Sequence, residues 1–524
     1  MMKTKQLFKS HLFSLAALFS MALTAVSCAN EDIVQNGKTG DNGKGFATFV
    51  AGEPAQTRTS IDYATGDFYW EEGDKIYVKD DDGTMQVSNT VDAAHAHSAS
   101  FKFKVPGKFG GSANYKVYYL GKNSSSNQVT IPTAQTQTTP NTTDHLGNSG
   151  DYGTATATGT LGGSVFSFQL EHQATYLVFQ PYTSNAVLKN CYLTKIEVNS
   201  DDDIAETYTI NSSTGNLNGS AGSKQIVLTT KDPVAGSTNE KGFSFTNAAS
   251  ISTADKVYML IKPGAHTLKV RYWVKDYDTN VEGTITKVLP SFNYDKNTYY
   301  DMTANLNVRD YDGTKYYMWD AQQNYWAGHE WNSANPWQPV LNGQSNSNYA
   351  RYNTNDPRYY NEYYPGYGVS NPATHTSCKD LPNANEMTWY AAKGDPRWDA
   401  DELWTTMGHL YKGGMWFKKK ANISGFNPNT AVDGSDWRTN SKTNNWSASP
   451  TPPSVDDAGN YFYLPALGEY FNGQLNHVGS IGRYWSSSCD PAGGNGYDLI
   501  FNSGVVYVFR NVLEYGSRAE ALFK

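Results

Sequence analysis

The chain is short of cysteine, of charge and of catalytic signatures, and each shortage argues against a class of protein. Four cysteines occur in 524 residues and none lies in a Cys-x-x-Cys clamp, so neither a zinc framework nor a disulfide-dense scaffold is expected. Charged residues make up 18% of the chain, with a net charge of −8. So acidic a chain has little means of releasing counterions from phosphates, which argues against a nucleic-acid partner. No Gly-x-Ser-x-Gly elbow or phosphate-cradling Gly-Lys-Ser appears. His329-Glu330 lacks the second histidine of a zinc-hydrolase helix. The acidic turns at 80–83 and 310–313 lack the alternating acids of an EF-hand. The expectation is a non-enzyme without cofactor or metal.

Aromatic residues are plentiful, at 14%, with 37 tyrosines and 46 glycines. That supply builds cores and argues against disorder. Lys3, Lys5 and Lys9 precede an uncharged run from Leu12 to Cys28, the pattern of an export signal. Ser and Thr dilute this run and no basic stop-transfer flank follows, so a permanent membrane helix is not expected. Its end, Ala25-Val26-Ser27-Cys28, resembles the lipobox of bacterial lipoproteins. The resemblance implies a signal peptide over 1–28, a lipid on Cys28 and attachment to the outer membrane; an ordinary cleaved signal is the alternative. Residues 29–44 read as a flexible tether whose acidic start resembles surface-export tags.

Between 45 and 308 the sequence is a series of short alternating runs, such as "GFATFVA", "YKVYYLG" and "HTLKVRYWVKDY", separated by turn residues. Long helices between them are lacking, which predicts antiparallel β-sandwiches. Two are expected, at 45–182 and 183–308, with 122–163 as a long surface excursion. Eleven of the thirteen tryptophans lie after position 309, marking a boundary there.

"TRTSIDYATGDFYWEEGDKIYV" at 57–78, "LEHQATYLVFQ" at 170–180 and "YYDMTANLNV" at 299–308 together resemble the fimbrillin family of Bacteroidetes surface lipoproteins. The resemblance covers roughly 45–308 and implies two transthyretin-like sandwiches. It also implies a maturation cut at Arg58 that removes "GFATFVA", and a strand from another fimbrillin subunit that fills the gap. Such a strand satisfies unpaired backbone and an apolar groove together. The alternative is that Arg58 stays in an uncut turn and the protein stays tethered.

The second half mixes element types. "NANEMTWYAAKG" reads as a helix with Asn383 as cap and Gly394 as stop. "DADELWTTMGH" reads as a second helix, with Asp399 and Glu402 spaced like a capping box. "NEMTWYAAKGDPRW", "YFYLPALGEYFNGQLNHVGSIGRYWSSS" and "YDLIFNSGVVYV" resemble the Fibrobacter-type major paralogous domain, which implies an α+β C-type-lectin-like fold over 378–524. Residues 309–377 fall outside that likeness and read as a Tyr/Asn-rich connecting segment.

The Glu-Pro-Asn, Gln-Pro-Asp and Trp-Asn-Asp elements of calcium-dependent sugar binding are missing, so that chemistry is not expected. Loop aromatics Tyr359, Tyr360, Tyr363, Tyr364 and Tyr367 are candidates for gripping a host or bacterial glycan or protein. Trp416 and Trp485 are weaker candidates, because indoles in such a fold mostly pack. The serines of "GRYWSSS" are expected to bond the loop above a core strand. Cys378 and Cys489 can pair as one disulfide or stand apart; the sequence leaves both open. The combined expectation is a surface adhesin with a tail locked in its lectin-like head, which suits a fimbrial tip or accessory subunit. A permanently tethered glycan-binding lipoprotein is the alternative.

Overall fold

The computed structural model describes residues 45–51, 60–61, 68–122, 124, 127–211, 214–245, 255–352, 355–361, 372–454 and 456–524. Nearly all regular structure is β, with one α-helix among the described residues. No described helix is long and apolar enough to cross a membrane.

The first body is an eight-stranded sheet. Its repeated strands are β1 (Phe46–Ala51), β2 (Lys102–Pro106), β3 (Asn114–Tyr119), β4 (Gly153–Gly159) and β5 (Val165–Phe168). The spatial path runs Met85–Val87, Tyr77–Lys79, β3, β4, β5, β1, β2. Alternation sets the faces: Ala47, Phe49 and Ala51 of β1 are buried, while Phe46 is 67% exposed. Phe49 joins Trp70, Phe103, Val117, Phe166 and Phe168 in one apolar core.

The second body is a sandwich. Its smaller layer places β6 (Thr175–Tyr182) between β8 (Val257–Ile261) and β11 (Thr298–Asn305). The larger layer contains β7 (Tyr192–Ser200), β9 (Gly264–Asp276) and β10 (Val281–Tyr294). Residues 122–163 are not a surface excursion. Gln128–Ile131 pairs with Ala205–Ile210, Ala134–Thr136 pairs with Gln225–Thr229, and Leu146 is fully buried. Nor does hydrogen bonding follow a division at 182/183, because β6 belongs to this sandwich. Polar composition suggested a loop, but an edge strand needs an apolar residue only on its inner face, here Val129 and Ile131.

The head begins at residue 309. β12 (Arg309–Tyr311) pairs in parallel with β14 (Arg397–Thr406), and β13 (Tyr316–Tyr317) pairs with the last strand. Tyr316, Met318, Trp319, Tyr325 and Trp326 are buried, so this segment supplies core rather than merely connecting. The helix α1 (Ala384–Lys393) has a capping box: Asn383 accepts from Glu386 N–H, and Glu386 accepts from Asn383 N–H.

The expected second helix is instead strand β14. Asp399 Oδ1 does accept from the amides of Asp401 and Glu402, at 3.1 and 3.0 Å. These bonds close a bulge where the register with β15 (His409–Lys418) shifts between Asp399 and Leu403. Leu403 to Thr406 are all buried, and a strand flanked on both sides satisfies their backbone. β16 (Tyr461–Pro465) completes that sheet. The hairpin β17 (Glu469–Phe471) and β18 (Gln474–Asn476) leads into β19 (Gly482–Cys489), β20 (Asn495–Phe501), β21 (Val505–Val512) and β22 (Ser517–Arg518).

Candidate functional site

The site that the sheet order isolates is the slot occupied by β1. It lies between β5, in parallel, and β2, antiparallel, so both its edges are hydrogen-bonded. Phe49 stands opposite Phe166 and Phe103, and its ring lies 5.2 Å from that of Phe166 and 5.3 Å from that of Phe109. Lifting β1 out would leave two unpaired strand edges and an apolar trough floored by Phe103, Phe166 and Phe168. The chain enters β1 beside a cleft of about 340 Å³ lined by Phe46, Asp81, Lys108 and Phe109. Arg58, the expected cut, and Cys28, the expected lipid site, lie outside the described residues.

The head aromatics sort differently from expectation. Trp485 is fully buried and donates its indole N–H to Tyr317 O at 2.8 Å; it cannot meet a ligand. Tyr359 is also buried, packed 4.4 Å from the half-buried Tyr360. Both rings serve the core that residues 309–361 help to build. Tyr363, Tyr364 and Tyr367 lie outside the described residues. Trp416 remains half-buried, its N–H on Asp399 Oδ2 at 3.1 Å. Two rings not singled out by sequence also reach solvent: Tyr352 is 87% exposed, and the half-buried Trp337 stacks on His329. The Trp-rich stretch at 326–337, broken by Asn, Ser and Pro, was the signal for the latter.

"GRYWSSS" opens β19 as a core strand. A side chain at Gly482 would meet the Phe501 ring at 2.1 Å, so only glycine fits. Ser488 Oγ accepts from the amide of Ala384 at the start of α1, and Ser487 N–H donates to Pro382 O. The Ser488 hydroxyl thus bonds the preceding loop as expected, whereas the Ser486 hydroxyl turns back onto Ser488 O within the strand.

Cys378 and Cys489 are both buried and are not joined in a disulfide. Cys378 Sγ accepts instead from Asp320 N–H at 3.2 Å. Burial pushes the two thiols up to about 12 and about 11, so both stay protonated and unreactive.

The tail is built into the head. β22 pairs with β13 and β19, and the fully buried Arg518 donates to Asp312 O and pairs with Glu520. Lys420 N–H bonds Lys524 O at 2.7 Å, and the Phe523 ring lies 5.4 Å from Tyr390.

A joint that the sequence did not reveal links head and second sandwich. Asp276 accepts from Leu410 N–H at 3.0 Å, Thr279 Oγ1 donates to Leu410 O, and Leu403 packs so tightly on Gly283 that a Cβ there would lie 2.7 Å away. Ligand atoms of Asp276, Asp278 and His409 lie within 4.8 Å of one another at this joint. The Asp276 carboxylate is already engaged by the amides of Asp278, Thr279 and Leu410 and by His409.

No family model matches this sequence, and no curated protein matches it. Several solved structures do. A candidate cell adhesion protein from Bacteroides ovatus matches at 13% identity over 50% of this chain and 93% of that chain, with a TM-score of 0.30. One from Bacteroides uniformis matches at 15% identity over 50% and 93%, with a TM-score of 0.27. The fimbrial anchor protein Mfa2 from Porphyromonas gingivalis matches at 11% identity over 46% and 82%, with a TM-score of 0.24. At TM-scores this low, the likeness carries no argument for fold or function.

Proposed function

We propose that this chain is a non-enzymatic cell-surface adhesin that joins a fimbria as a tip or accessory subunit. In this reading, cleavage at Arg58 frees β1, a strand from a neighbouring fimbrillin subunit enters the slot, and the head presents the ligand surface. The observation that carries it is the position of β1. A strand held between two others, with Phe49 fully buried and no covalent crosslink to its neighbours, leaves a specific vacancy when removed. Residues 517–523 are packed into the head, so that segment is not offered as a donor strand. Lipidation at Cys28 belongs to the same reading, as the precursor's outer-membrane anchor. The exposed Tyr352 and the half-buried Trp337 and Trp416 are the proposed glycan- or protein-contact surface.

N-terminal sequencing of the mature surface form tests this. A start near Thr59 is expected; a lipidated Cys28 on the whole surface population would sink the assembly reading. Immunogold labelling is expected to mark fimbrial ends, and labelling along the shafts would refute the tip position.

A further inference from the structure

The head contains a buried charged array with one negative charge too many. Asp498 on β20 is fully buried, and Glu469 on β17 is 3% exposed. A single guanidinium serves both: Arg483 Nη1 lies 3.3 Å from Asp498 Oδ2, and its Nε lies 3.9 Å from Glu469 Oε2. Neither is the distance of a tight charge-assisted bond, and Glu469 Oε2 and Arg483 Nε have no hydrogen-bond partner. Asn511 on β21 donates to both Asp498 oxygens, at 2.9 and 3.0 Å, but brings no charge. The half-exposed His477 ring reaches Glu469 Oε1 at 2.8 Å. The neighbouring cations are committed elsewhere, Arg510 to Asp490 and Arg518 to Glu520. Two buried carboxylates against one permanent cation cannot both stay ionised without a large penalty.

We propose that this array is a proton switch: Asp498 holds a proton, and its loss draws Arg483 away from Glu469 and loosens the β17–β18 hairpin. Burial pushes the Asp498 carboxyl up to about 7 from an ordinary 3.8, with Arg483 and Asn511 opposing and Glu469 adding. The folded value therefore lies above the unfolded one. The linked stability is complete below about pH 4, falls as pH rises, and is gone above about pH 7. The effect reaches the surface because the Arg483 guanidinium lies 4.2 Å over the Tyr515 ring, which stacks at 4.5 Å on Phe471 of the hairpin.

The test is urea unfolding of the full chain from pH 5 to pH 8, followed by tryptophan fluorescence, which the head dominates. In the native sequence the head's unfolding constant rises about a hundredfold over this range. Asp498→Asn, neutral like the protonated acid, abolishes most of that rise; a slope equal to the native one overturns the proposal. If Asp498→Asn does not fold, Glu469→Gln decides: removing the competing charge moves the fall to lower pH, and an unmoved curve overturns it. Amide exchange at Tyr470 and Leu475, corrected for intrinsic rates, quickens at pH 8 relative to pH 6 in the native chain. Equal protection at both pH values refutes the hairpin movement.

Discussion

Truncating Phe49 tests whether β1 is held as the slot geometry requires. Its ring is fully buried and sits edge-on to Phe109 and Tyr115 and stacked on Phe166. Phe→Ala in a core costs about 3–5 kcal/mol, through lost transfer energy and the cavity left behind. Aromatic pairs add about 0.5–1.5 kcal/mol beyond area, which places Phe49→Ala at the upper end of that range. Phe46, three positions earlier on the same strand, is 67% exposed, and Phe46→Ala should stay within about 0.5 kcal/mol. Urea denaturation of the two variants, read by near-ultraviolet circular dichroism, gives the contrast directly. A synthetic β1 peptide added to a chain cut at Arg58 should restore the native midpoint only when it carries the phenylalanine at position 49. Equal costs for the two phenylalanines, or rescue by a peptide with Ala at position 49, would refute the argument that one inward ring anchors the strand.

Three other contacts give measurable outcomes. Arg518→Ala leaves Glu520 and the Asp312 carbonyl without their buried partner; a loss of about 3–5 kcal/mol is expected in the head transition, and a loss below about 1 kcal/mol would show the tail to be loosely held. Asn383→Ala removes the cap on α1 and should cost about 1 kcal/mol, measurable as a lowered urea midpoint with an unchanged slope. Iodoacetamide should leave Cys378 and Cys489 unmodified in the native protein, given thiols pushed up to about 12 and about 11. Mass spectrometry should find both labelled only after denaturation, and a Cys378–Cys489 crosslinked peptide would contradict the unpaired arrangement of the two sulfurs with each other.

The sandwich strands were legible because alternation is a local signal: "GFATFVA" announces its buried face whatever it pairs with. The cap at Asn383 was legible for the same reason. Asp399 shows the limit. It offers the same side-chain bonds to nearby following amides, yet it closes a bulge, because the buried run from Leu403 to Thr406 is claimed by strands on both sides. Local capping bonds contribute about 1 kcal/mol, less than burying four residues in a paired strand. Trp485 and Tyr359 fell on the same divide: the sequence supplies large aromatic rings, and their depth is set by what packs over them.

By itself, then, the amino-acid order settled that the chain is β-rich, where each strand's apolar face lies, and that a Trp-rich head follows residue 308. Only tertiary structure decided that β1 sits inside its sheet, that residues 128–136 pair into the second sandwich, and that Asp498 and Glu469 converge on one guanidinium. The reason is range. Side-chain alternation and capping act over two to four residues, whereas strand order and buried charge depend on partners that the sequence separates by tens of positions.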